Sequence, residues 1–174
     1  MILGMTTFTF IHVAISLVAI AAGLVVLYGL LTAKRLEAWT ALFLLTTVLT
    51  SATGFGFPFE KLLPSHVIGA ISLVLLAVAI FARYARRLAG SWRWIYVVTA
   101  VVSLYFNVFV LVVQAFLKVP ALKPLAPNQS EPPFLIAQLV VLAAFIVLGS
   151  LAVVRFRVGP NSGESLTTPP VIKP

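Results

Sequence analysis

The chain has 174 residues, 61% of them hydrophobic and 9% charged, whereas a soluble domain is roughly 45–50% apolar and about 25% charged. Such a composition excludes an ordinary water-soluble core and makes lipid the expected solvent. With no cysteine and no aspartate, disulfide exchange, thiolate metal sites, covalent haem attachment and chemistry on paired intramembrane aspartates are excluded as well. The formal charge is +8, but the basic residues lie at the ends of apolar stretches. They read as topology signals and contacts to membrane lipids, and nucleic acid is not an expected partner.

Crossing a hydrocarbon core of ~30 Å takes about 20 helical residues, and apolar runs of that length occur five times. They cover about 7–31, 38–57, 66–85, 94–117 and 134–154. Backbone groups in lipid must be paired inside the protein, and no run alternates in polarity, so each is read as a helix and none as a strand. The expected fold is therefore all-α: an integral membrane five-helix bundle forming one domain over 1–158. The first run lacks a basic leader and a cleavage site and is expected to remain as a span.

The connections alternate in charge. Lys34 and Arg35 follow the first run, Arg83, Arg86, Arg87 and Arg93 surround the third connection, and Arg155 and Arg157 follow the fifth run. The second connection balances Lys61 with Glu60, and the fourth sets Lys118 and Lys123 against Glu131. By the positive-inside rule the arginine-rich set is cytoplasmic, which places the N-terminus outside and the C-terminus in the cytoplasm. The expected location is a bacterial inner membrane. The fourth connection, KVPALKPLAPNQSEPP, carries five prolines and is expected to follow an extended, polyproline-like path. The polar tail 159–174 is expected to be disordered and cytoplasmic. Trp39, Trp92, Trp94 and Tyr96 open the second and fourth helices and read as an aromatic belt.

Polar side chains within spans are costly unless they face the bundle. On the fourth helix Thr99, Ser103, Asn107 and Gln114 fall within an arc of about 80° at 100° per residue, forming one stripe. Thr46, Thr50 and Thr53 form another on the second helix, and His12, Ser16, Ala19 and Gly23 share a face of the first. The topology puts His12, His66, Thr53, Gln114 and Gln138 at one depth, in the outer leaflet, with Asn107 deeper and Glu60 in the adjoining loop. Four readings of this cluster remain open. The polar groups hydrogen-bond between helices; or His12 and His66 are the axial ligands of one b-type haem. Alternatively the cluster holds a quinone, with His and Gln bonding its oxygens and Phe10, Phe55, Phe57 and Phe59 as walls. A metal site is the fourth, on a thin ligand set of two histidines and Glu60.

The stretch TGFGFPFEKLLPSH, residues 53–66, is a tight turn in which Gly54 and Gly56 relax a helix end, Pro58 and Pro64 stop it, and Ser65 caps the next helix. It is also a short lid that would set Glu60 beside His66 for proton transfer. In LTSATGFGFPFEKLLPSH, WRWIYVVTAVVSLYFNVFVLVVQAFLKVPAL and PNQSEPPFLIAQLVV the chain resembles a group of small multi-pass bacterial membrane proteins with no activity attached to them. The resemblance implies a fold and no reaction. In architecture the chain is also similar to small di-haem b-type cytochromes, which use two histidine pairs; with two histidines in all, one haem is the most this chain can carry. The expected function is that of a non-enzymatic membrane component, either an accessory subunit of a larger complex or homo-oligomer, or a small-ligand binder. A redox protein using haem or quinone at His12 and His66, and a small transporter, are the alternatives.

Overall fold

A polypeptide freed from water closes its backbone hydrogen bonds locally, and the computed structural model, which describes residues 6–57 and 64–157, is helical in all its regular segments. The helices are α1 (Thr7–Leu31), α2 (Glu37–Gly54), α3 (Pro64–Ile80), α4 (Trp92–Lys118) and α5 (Pro132–Arg155). α1, α4, α5, and α3 with the π-helical turn Phe81–Ala85 that prolongs it, are long and apolar enough to cross a membrane. The chain is an all-α membrane protein. α2 has 18 residues, about 27 Å at 1.5 Å per residue. Its threonines lower its mean hydropathy below that of the other four, but Thr40, Thr46, Thr47 and Ser51 are buried against neighbouring helices.

The ends of the helices follow from their sequences. The Thr6 side chain accepts from the Thr9 amide at 3.2 Å and caps α1. α1 stops where Ala33 takes a positive φ of 55°, with the Lys34 amide returning to the Gly29 carbonyl at 2.8 Å and that of Ala33 to Leu30. This is a Schellman ending with alanine where glycine is usual. Pro58, Phe59, Glu60, the cap expected from Ser65 and the tail 159–174 lie outside the described residues and side chains.

α4 packs against each of the other four helices, while α1 pairs with α2, α2 with α3, and α5 with α4 and α1. The main core gathers at the arginine-rich end: Val26 and Leu30 of α1, Phe43 of α2, Leu76 and Ala79 of α3, Val97 and Leu104 of α4, and Ala152 and Phe156 of the α5 end. A smaller cluster of Phe116, Ala126 and Phe134 closes the opposite end.

Three expectations are corrected here. Tyr96 does not belong to an interfacial belt; it is fully buried, with Phe156 nearby, whereas Trp39 and Trp94 are exposed. Arg83 is not a free loop charge: it sits buried in the π-turn and Nη2 donates to Glu37 Oε2 at 2.6 Å. Its guanidinium also lies 5.3 Å from the centre of the Tyr96 ring, so the buried charge is met by a carboxylate and an aromatic face. The fourth connection, finally, is not extended. It winds through a 3₁₀ turn at Lys123–Leu125, buries Ala126 and has the Gln129 side chain donate through Nε2 to the Val113 carbonyl at 3.0 Å. Prolines bar a long helix but not short turns, and the apolar Ala126 and Leu122 fold back onto the α4 and α5 ends. Glu131 precedes α5 and accepts from the Asn128 and Ser130 amides at 3.1 and 3.0 Å. Desolvation raises its pKa, but the bond from its own backbone amide, these two and that from the Asn128 side chain outweigh it and hold the carboxyl below its ordinary range.

Candidate functional site

The end of the bundle away from the arginines collects the histidines. His12 lies in the second turn of α1, half-buried, and its Nδ1 is 2.8 Å from the Thr53 hydroxyl near the end of α2. Thr53 directs its single proton to the Leu49 carbonyl at 2.7 Å, with a longer contact to Thr50 at 3.2 Å. Its oxygen must then accept from His12, which assigns the proton of the neutral imidazole to Nδ1 and leaves a lone pair on Nε2. The other face of the contact is aromatic: the Phe57 ring meets His12 edge-on, with centroids 5.1 Å apart, and Phe8 meets Phe57 in the same way. Gly54 lies alongside, where an added Cβ would come 3.9 Å from His12 Cε1.

His66, at the start of α3, is buried, and its ring lies 5.9 Å from that of Phe55. Thus α1 is tied to α2 through His12 and Thr53, and α2 to α3 through Phe55 and His66. Gly69 continues the second contact, its missing Cβ 3.4 Å from the Phe55 ring.

Other sequence-selected residues separate. Asn107 donates to Thr47 at 3.4 Å, joining α4 to α2 at mid-depth, and buried Gln138 donates from α5 to the Phe109 carbonyl of α4 at 3.2 Å. Gln138 Oε1 and Thr50 Oγ1 are buried without a hydrogen-bond partner in the structure. Gln114 is exposed on the surface of α4. The hydroxyl stripes mostly serve their own helices: Ser16 bonds the His12 carbonyl, Thr46 that of Leu42, Thr99 that of Ile95 and Ser103 that of Thr99, at 2.7–2.8 Å. Among the described residues no group of three or more His, Cys, Asp or Glu is placed to hold a metal ion.

Sequence reading missed the polar group at the other end, made of Glu37, Arg83 and Tyr96. The signal was available in the topology, since the start of α2 and the end of α3 must share one end of the bundle. No protein-family model matches the chain, and neither the curated proteins nor the solved structures hold a match to it.

Proposed function

We propose that this chain is a five-pass, non-enzymatic membrane component, an accessory subunit that holds a small lipid-soluble ligand at its histidine end. The observation that carries the reading is the pair of contacts from Thr53 to His12 Nδ1 and to the Leu49 carbonyl, from which the imidazole proton is assigned to Nδ1 and Nε2 is left an acceptor in a setting of Phe8, Phe57 and Gly54. A lone pair in an apolar surround selects a ligand that brings its own donor. A hydroquinone or another phenol fits this better than a quinone, whose carbonyls have nothing to offer Nε2. The remaining intramembrane polar groups support a binding role over transport, because Asn107, Gln138 and the serine and threonine hydroxyls already bond helices or backbone.

A second reading follows from the same imidazole. A histidine whose Nδ1–H is held by a hydroxyl is oriented to offer Nε2 to a metal, so a b-type haem with His12 and His66 as ligands is the competing proposal. One preparation tests both. The full chain is purified in mild detergent, its oxidised and reduced visible spectra are recorded, and its bound small molecules are extracted and weighed by mass spectrometry. The expected result is a flat spectrum and a hydroxyl-bearing aromatic lipid that is lost in His12→Phe. An equal complement of extracted molecules in both proteins overturns the proposal; a Soret band lost in His12→Ala and His66→Ala replaces it with the haem reading.

A further inference from the structure

The arginine-rich end contains a cavity that the histidine site does not use. It has a volume of about 700 Å³ and is bounded by Arg87 and Gly90 of the α3–α4 connection, Arg93 of α4, and Val153, Val154 and Arg157 at the end of α5. No carboxylate lines it. Three guanidinium groups therefore surround one opening with no counter-charge among its lining residues. Arg93 uses Nη1 on the Val153 and Phe156 carbonyls, which closes the end of α5 and leaves the rest of its fork of donors. Arg87 and Arg157 are exposed and make no ion pair among the described residues.

The backbone of the α3–α4 connection is shaped around this opening. Arg87, Leu88 and Gly90 have positive φ of 49°, 60° and 53°, and for the first two such a conformation is rare and costly. Leu88 anchors the turn by burial in the main core, with its amide on the Ala82 carbonyl at 3.0 Å. The turn thus holds Arg87 at the cavity rim while the leucine points inward.

Below the cavity runs a second, apolar hollow of about 290 Å³ between α4 and α5, lined by Val101, Tyr105, Phe145, Ile146, Gly149 and Val153 among others. Val153 borders both spaces, so the two lie next to each other. The hollow reaches from Val153 to Leu142, about 16 Å of helix, close to half of the ~30 Å hydrocarbon core. A basic pocket at the end of the bundle, beside an apolar groove about one leaflet long, has the charge and shape of one kind of occupant.

We infer that the cleft between α4 and α5 binds an anionic phospholipid, with its phosphate among Arg87, Arg93 and Arg157 and an acyl chain along the groove down to Leu142. The inference rests on the membrane placement of α4 and α5 and not on the ligand proposed for His12. Basic pockets between membrane helices are suited to such headgroups because each guanidinium adds attraction at a surface already depleted of water.

The test uses the full chain, delipidated in mild detergent and titrated by native mass spectrometry with phosphatidylglycerol or phosphatidylcholine of the same acyl chains. The expected result is binding of phosphatidylglycerol at least about tenfold tighter than phosphatidylcholine, reduced about fivefold by Arg87→Gln and again by Arg157→Gln. Both side chains are exposed, so neither variant disturbs the core. Ile146→Trp, which fills the groove from an exposed position, lowers phosphatidylglycerol binding with all arginines in place. Equal binding of the two lipids, or phosphatidylglycerol binding unchanged in all three variants, overturns the inference. Full displacement by inorganic phosphate at equal concentration also overturns it, since the cleft would then be a free-anion site with no use for the groove.

Discussion

At the scale of single residues, the Arg83–Glu37 pair joins two unequal environments: the Arg83 side chain is 4% exposed and that of Glu37 67%. The arginine is the member that depends on the bond, because its charge is away from water and its Nε already lacks a partner. A charge-assisted hydrogen bond contributes about 1.5–3 kcal/mol, and the exposure of Glu37 brings this towards about 1 kcal/mol through solvent screening. Glu37→Gln is therefore expected to destabilise the protein by about 1–2 kcal/mol. In an Arg83→Met background the same change should cost only the few tenths that a carboxylate contributes near a helix N-terminus. Thermal unfolding of the four proteins in one detergent gives the coupling as a double-mutant cycle; additive effects would mean that the pair contributes nothing.

Whole elements are positioned by small residues at crossings. Gly23 of α1 faces α4 and α2 so closely that an added Cβ would lie 2.5 Å from Leu104 Cδ1 and 2.9 Å from the Phe43 ring. Both side chains are in the main core, so neither can move without displacing others. Gly23→Val should lower stability by about 1–3 kcal/mol, as overpacking does, while Gly54→Ala, whose Cβ meets ordinary contact at 3.9 Å, should leave the melting temperature within a few degrees. The helices were legible in the sequence because the length of an apolar run is set by the thickness of lipid. That His12 and Thr53 lie at the same end of the bundle was legible from the order of the helices, but their contact was not. The burial of Arg83 was not. A periodicity of 3.6 does not anticipate the π-turn Phe81–Ala85 in which Arg83 is buried, so in the sequence it reads only as one of the charges that close the third apolar run. Tyr96 was misplaced for want of that partner. Gln114 falls between Ser103 and Asn107 in angle, but it lies in the last turns of α4, far along the helix from them, and is exposed there.

For the whole molecule, the open question of architecture is the path of α2, which decides whether the termini lie on opposite sides. Its composition alone is ambiguous, but its contacts favour a crossing. At one end Glu37 meets Arg83, in the π-turn that prolongs the third apolar helix, and at the other Thr53 meets His12, in the second turn of the first. A helix with one end beside the arginines and the other beside the histidines runs the length of the bundle, and the Thr46 and Thr53 hydroxyls cost little because they bond carbonyls of their own helix, whereas that of Thr50 is buried without a partner. The native chain has no cysteine, so single reporters can be placed without background. Lys34→Cys between α1 and α2, Glu60→Cys between α2 and α3, and Asn128→Cys between α4 and α5 are exposed to a membrane-impermeant maleimide in intact cells and again after lysis. With α2 crossing and the arginine end cytoplasmic, Glu60→Cys and Asn128→Cys label in intact cells, and Lys34→Cys only after lysis. If Lys34→Cys and Glu60→Cys label alike, α2 re-enters on the side it left and four helices span. The arginine cleft would still face one side with the end of α5, whereas His12 and Thr53 could not share a leaflet, and the ligand site proposed there would lose its geometry.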